Sequence, residues 1–176
     1  GFKPKNKIFL KKNINNLCGK FRKGHFKGVL NIVNRLVEVI KPRNIYLGVK
    51  DFQQLYLIKE HIKKKKIQTN VISCKIIREK NGIACSTRNS KISKNKLIIA
   101  SKIFYFLKNK KKLIKKDYIN FNYINFKKEI IKLGAEKIDY IEVYSIDEFK
   151  KAQNNKKKFR IFIAYYLDKI RLIDNI

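Results

Sequence analysis

The sequence has no tryptophan, no methionine, three cysteines, and only 13 acidic residues against 44 lysines and arginines. Each shortage excludes something. Cys18, Cys74 and Cys85 are scattered, odd in number and form no C-x-x-C pair. That pattern excludes a disulfide framework and a thiolate zinc site, leaving buried or incidental thiols in a reducing compartment. No apolar run approaches the roughly 20 residues a membrane span needs. The nearest, residues 97–107, is interrupted by Lys102. No secretory signal is read ahead of the body of the chain. The missing acids leave a net charge of +31, a balance that ordinarily points to nucleic acid or an anionic membrane. Here the excess is lysine, accompanied by isoleucine and asparagine, the residues of A- and T-rich codons. Compositional drift at the surface accounts for most of it. The sign still favours anionic small molecules such as nucleotides.

What is present suffices for a folded protein. Of 176 residues, 44% are hydrophobic, enough to bury a core as one domain or two small ones. The apolar pairs Val29-Leu30, Ile32-Val33 and Leu36-Val37, followed by Ile40, recur at helical spacing, and Pro42 ends that helix. A strand is expected at about 44–48, a helix at about 52–64 and a second strand over Asn70–Ile77. Strands alternating with helices imply a parallel α/β sheet with right-handed crossovers.

Beyond Gly82 the pattern changes. A helix is expected over 94–108, running into the lysine cluster Lys108–Lys116, and another over Lys127–Leu133, closed by Gly134. Ile138–Tyr144 alternates like a strand. Ser145-Ile146-Asp147-Glu148 resembles a capping box that opens a short helix. Lys158–Leu167 and Ile170–Ile173 read as a hairpin turning at Asp168-Lys169. The second part is therefore an α+β module on a small antiparallel sheet, with a domain boundary between about 77 and 90. The runs Lys63–Lys66 and Lys108–Lys116 are expected in solvated helix ends and loops. His61, late in a lysine-rich helix, is expected at the surface.

Two polar clusters carry the chemistry. Gly48-Val49-Lys50-Asp51-Phe52-Gln53-Gln54 follows an apolar strand and opens a helix. In open α/β sheets ligands bind beyond the carboxyl ends of strands. There Gly48 permits close backbone approach, the helix N–H groups face an anion, and Lys50 offsets phosphate charge. Asp51 either holds a magnesium ion on the phosphates or caps the helix. Gln54, one turn along, suits a polar substrate. The second cluster, Ser86, Thr87 and Arg88, offers two hydroxyls and a bidentate guanidinium, a set suited to phosphate whose charge grows as a bond breaks. The two clusters read as two walls of one phosphate-handling site. His25, between glycines in a basic loop, reads as a substrate contact or, no less readily, as a structural or solvent-facing histidine.

These residues fall in longer motifs. Gly48 to Leu55 (GVKDFQQL) resembles the G-E-K-D-[YF]-Q-Q-L motif of the pantothenate synthetase (pantoate–β-alanine ligase) family. Arg78 to Asn89 (REKNGIACSTRN) is similar to that family's R-E-x-D-G-L-A-x-S-S-R-N, and Arg22 to Val29 (RKGHFKGV) to its R-P-G-H-F-x-G-V. Arg171 to Asn175 matches the family's R-L-I-D-N. Val49 stands for a glutamate, Thr87 for a serine, Lys23 for a proline and Cys85 for a methionine or leucine, while Lys50, Asp51, Gln54, Ser86 and Arg88 are kept.

The resemblance implies an α/β fold: a Rossmann-like, nucleotidyltransferase-type parallel sheet over residues 1–80, followed by an α+β lid with an antiparallel sheet over 81–176. It implies an ATP-dependent ligase in which pantoate is adenylated and β-alanine then displaces AMP. ATP would contact Gly48, Val49, Lys50, Asp51, Ile77 (through its backbone), Cys85, Ser86, Thr87 and Arg88, with Mg2+ near Asp51 and pantoate at Gln54. Lys50, Ser86 and Arg88 would act in catalysis, and Cys85 to Arg88 would form a mobile loop closing over the phosphates. A cytoplasmic homodimer without membrane attachment is implied. The family's P-T-M-G-A-L-H-x-G-H segment has no counterpart here, so the chain is expected to be the C-terminal part of such an enzyme. Little ligase activity is then expected of it alone, with residues 1–77 less stable than 84–176. The competing class is a basic nucleic-acid-binding module that uses the lysine runs with nearby Phe and Tyr. The four motifs in order weigh against it.

Overall fold

The structure, a computed structural model, describes residues 7–116, 122–154 and 158–176. The chain divides after Lys75 into two compact units.

In the first unit a short helix α1 (Cys18–Phe21) precedes α2 (His25–Ile40), β1 (Asn44–Gly48), α3 (Phe52–Lys64) and β2 (Asn70–Cys74). α2 buries Phe26, Leu30, Asn34 and Val37, a stripe at helical spacing. It stops where Lys41 turns left-handed (φ 50°) and returns its N–H to the Val37 carbonyl. Pro42 then cannot continue the helix. β1 and β2 pair in parallel, from Asn44 opposite Asn70 to Gly48 opposite Cys74. Ile45, Leu47 and Val71 pack with Val33 and Ile67 around the buried Leu30, Ile58 and Ile62. β2 ends at Cys74 rather than at the expected Ile77 because its partner strand ends at Gly48.

His61 corrects the surface expectation. It is fully buried (0% exposed). Its Nε2 lies 2.9 Å from Asn34 Oδ1 on α2, and its Nδ1 accepts the Phe9 N–H at 3.1 Å. The segment before α1 is thereby strapped across α3. The strap is extended by Lys11 Nζ on Tyr56 Oη (2.7 Å) and Glu60, and by Gln53 Nε2 on the Asn16 carbonyl (2.7 Å).

The second unit contains α4 (Lys94–Lys116), α5 (Tyr123–Lys132) and an antiparallel sheet in the order β3 (Lys137–Ser145), β4 (Phe159–Leu167), β5 (Ile170–Asn175). α4 buries Ala100, Ile103, Leu107 and Ile114 against Ile161, Ile163, Tyr165 and Leu167 of the central strand. That stripe carries the helix through the whole Lys108–Lys116 cluster, where solvated ends and loops were expected. Asn122 caps α5, its side chain accepting the N–H groups of Ile124 (2.9 Å) and Asn125 (3.2 Å). Asn122→Ala should cost the unit about 1 kcal/mol in denaturant titration. No loss would mean the cap is idle.

Asp168 and Lys169 both have positive φ (49° and 62°), the two-residue hairpin geometry that suits right-twisted strands. Glu136 accepts both turn N–H groups, at 2.9 and 3.2 Å. Lys96 first, and then those two bonds, hold its carboxyl well down, to about 2.

The capping box at Ser145 opens no helix. Ser145 N–H bonds the Lys150 carbonyl at 2.8 Å and Ala152 N–H bonds the Val143 carbonyl at 2.9 Å, folding the segment back on β3. Phe149, at φ 48° and 0% exposed, packs on Tyr144 and Phe162. Burying that ring outweighs the cap.

Candidate functional site

In the first unit the candidate residues sit where β1 ends. Gly48 has ordinary extended backbone (φ −68°, ψ 131°), and a Cβ there would meet no atom within 4 Å. The fold does not itself require glycine, so any need for it lies on the open side. Val49–Asp51 form one 3-10 turn before α3. Asp51 is exposed and its side chain makes no capping hydrogen bond, so of the two readings of that carboxylate, capping is not realised. A lone exposed carboxylate beside a phosphate-suited turn fits magnesium, which is usually held by one or two carboxylates plus substrate phosphates. Among the described residues no group of three His, Cys, Asp or Glu side chains could hold a metal without such help.

The adjacent glutamines divide. Gln53 is buried and donates to the strap at Asn16, whereas Gln54 is part-exposed. The sequence does not distinguish them. Upstream, the RKGHF segment turns at Gly24 (φ 77°), and His25 opens α2 half-buried. Arg22, Gly24, Phe26 and Lys27 line a cavity of about 270 Å³ with Leu10 and Ile14 of the strap.

The second unit holds Ile77 and Cys85 to Arg88. Residues 77–85 make a tight hairpin: Cys85 N–H bonds the Ile77 carbonyl (3.0 Å), Glu79 N–H bonds Ile83 (2.9 Å), and Arg78 bridges Ala84. The Ile77 side chain is 76% exposed. Ser86 Oγ accepts the Arg88 N–H at 3.2 Å, and Arg88 Nη1 donates to the Arg171 carbonyl at 3.1 Å. Cys85, Thr87 and Arg88 are exposed. Lys50, Asp51 and Gln54 thus lie together in the first unit, and Ile77, Ser86, Thr87 and Arg88 in the second.

Sequence reasoning missed Arg78. Its guanidinium forks onto Asp174 (2.7 and 2.9 Å), reaches the carbonyls of Gly82 (3.0 Å) and Asn175 (3.2 Å), and lies 4.5 Å over the Phe104 ring. The signal available was co-occurrence: Arg78 opens one motif and Asp174 sits in the terminal one.

A parallel strand-helix-strand unit with a phosphate-suited turn, joined to an α+β module that carries a hydroxyl-and-arginine loop, defines a Rossmann-like, nucleotidyltransferase-type protein. The pantoate-beta-alanine ligase family model matches residues 2–176, and the chain belongs to that family. It is 37% identical over 168 residues to the pantothenate synthetase of Flavobacterium psychrophilum, covering 90% of this chain and 57% of that protein. To the enzyme of Caldicellulosiruptor saccharolyticus it is 36% identical over 171 residues, covering 96% and 61%. Among solved structures it superposes on the Francisella tularensis pantoate-beta-alanine ligase complexed with beta-gamma ATP and beta-alanine. That match has TM-score 0.74 and 38% identity, and covers 96% of this chain and 57% of that one. The Thermus thermophilus synthetase (TM-score 0.82, 23% identity, 97% and 62% covered) shares the fold. The chain therefore spans rather more than half the length of these relatives. Neither the family match nor the relatives support a nucleic-acid-binding module.

Proposed function

We propose that the protein works in the ATP-dependent condensation of pantoate with β-alanine to pantothenate. The family match across residues 2–176, with Lys50, Asp51, Gln54, Ser86 and Arg88 retained, carries this reading. In the first step a pantoate carboxylate oxygen bonds to the α-phosphorus of ATP. The α–β phosphoanhydride bond breaks, giving pantoyl adenylate and pyrophosphate. In the second, the amine of β-alanine bonds to the acyl carbon, loses a proton, and AMP departs.

Neither step needs a protein nucleophile, so positioning and charge stabilisation are what the side chains supply. Lys50 is assigned to phosphate, Gly48 and Val49 to the nucleotide through their backbone, and Gln54 to pantoate. Asp51 would hold Mg2+, whose chemistry is to neutralise phosphate charge. Ile77 is assigned to the adenine nucleotide through its backbone, and Cys85, Ser86, Thr87 and Arg88 to the phosphates. The first unit is read as part of the nucleotide-binding domain and the second as the lid, in a cytoplasmic homodimer.

Where pantoate-dependent exchange of labelled pyrophosphate into ATP is measurable, Arg88→Ala should lower it roughly 100-fold. On the chain itself, ATP with magnesium should slow amide exchange over residues 48–54 and 85–89. Unchanged exchange in both segments would sink the reading.

A further inference from the structure

Two arginines of one motif, ten residues apart, are used in opposite ways. Arg78 is committed: four donor contacts join its guanidinium to Asp174, Gly82 and Asn175. A guanidinium has five N–H donors in a fixed fork, so little of Arg78 is left for a ligand. The pair is shielded, at 21% and 12% exposure, and Phe104 backs the guanidinium plane. Arg88 is exposed, and the bond that parks it goes to a neutral carbonyl, Arg171 O, at 3.1 Å. A charge-assisted bond to phosphate is about twice as strong as a neutral one. Phosphate can therefore draw Arg88 away but not Arg78.

The segment between them is pinned at both ends. On the upstream side Arg78 ties the hairpin to β5, and Ala84 pairs back to Arg78. On the downstream side Asn89 is buried (8% exposed) and donates to Glu79 Oε1 at 2.6 Å and to the Ala84 carbonyl at 3.3 Å. Cys85 to Arg88 span these anchors. Residues 83 to 97 positions away in sequence supply the contacts: Asp174 and the Asn175 carbonyl hold Arg78, and the Arg171 carbonyl holds Arg88. Arg171 is itself fixed through Nε to Asp139 at 2.7 Å, with Asp139 only 2% exposed.

We infer that the terminal R-L-I-D-N motif is a clamp for the Cys85–Arg88 loop. Asp174, acting through Arg78, is a positioning residue that fixes the loop's root, and the Arg171 carbonyl is the resting dock from which Arg88 moves to phosphate. The mechanical part stands on the contacts above. The phosphate part rests on the proposed function.

Amide exchange on the intact chain, without ligand, reads the clamp directly. In Asp174→Asn and in Arg78→Lys, exchange at Ile83–Asn89 should accelerate about tenfold or more, while Ile161–Tyr165 in β4 keep the wild-type rate. Wild-type exchange in the loop would overturn the clamp. So would equal acceleration in β4, which would make the pair a general stabiliser. Where pyrophosphate exchange is measurable, Asp174→Asn combined with Arg88→Ala should be no slower than Arg88→Ala alone, because both act through one group. Additive losses would overturn the link to Arg88. Absence of any pyrophosphate exchange accords with the little ligase activity expected of this chain alone; the clamp is then judged by the amide rates, and the proposed function by ligand protection of residues 48–54 and 85–89.

Discussion

Gly82→Ala is expected to destabilise the second unit by roughly 2–5 kcal/mol, summing about 1–2 for the left-handed backbone and 1–3 for overpacking. Gly82 sits at φ 86°, where L side chains are strained. Its N–H closes the turn onto the Glu79 carbonyl (2.8 Å), so the dihedral cannot relax without breaking that bond. A Cβ would come within 2.3 Å of Phe104 Cδ1 and Cε1. The ring can yield only by leaving the Arg78 guanidinium it backs at 4.5 Å. Denaturant titration of the second unit should therefore show the loss in Gly82→Ala. In a Phe104→Ala background the added penalty should shrink to the backbone share of about 1–2 kcal/mol, since the overlap is gone. A loss under about 1 kcal/mol in the parent would mean that the turn adapts to a side chain.

That coupling shows what a one-dimensional reading reaches. Strand β1, the turn after Gly48, helix α3 and the Asp168–Lys169 hairpin are local: period, glycine and turn chemistry lie within a few residues. Both polar clusters stood out for the same reason, as runs of chemistry-bearing residues after apolar segments. What escaped was decided by partners far along the chain. Arg78 and Asp174 are 96 residues apart. Gln53 and Gln54 are adjacent and chemically identical, and what sets Gln53 apart is its hold on the distant carbonyls of Asn16 and Ile14. The Ser145 box failed because Phe149 gains more from Tyr144 and Phe162 than a helix cap returns. His61 was misplaced because its neighbours Lys63, Lys64 and Lys66 are exposed while its own helix face meets Asn34 and Phe9.

His61 should also make the first unit acid-sensitive. Because Nδ1 accepts the Phe9 N–H, the ring proton lies on Nε2 and is donated to Asn34 Oδ1. A second proton would have to sit on Nδ1, donor against donor, in a site with no access to water. Burial first, and Lys65 second, push the imidazole below its ordinary value of 6.5, while Glu38 opposes them. The Lys11–Glu60 pair flanks the same strap, and the hydrogen bonds to Glu60 and Tyr56 raise Lys11 above its ordinary 10.5, so it stays charged throughout this range. A lowered folded-state value means that stability is complete above about 6.5, where the ring is neutral folded or unfolded. Below that pH the unfolded chain takes up a proton the folded one resists. The unit should then lose stability as the pH falls below about 6.5, by at most about 1.4 kcal/mol per pH unit, until the folded ring also takes up its proton. Amide exchange at Leu30 and Ile58 reports opening of this core without a tryptophan probe. His61→Gln keeps one acceptor for Phe9 and one donor for Asn34 but cannot titrate, so its profile between pH 5 and 7 should be flat. If the wild-type profile is equally flat, the histidine is taking up its proton in the folded state, and the strap is not held by a neutral ring.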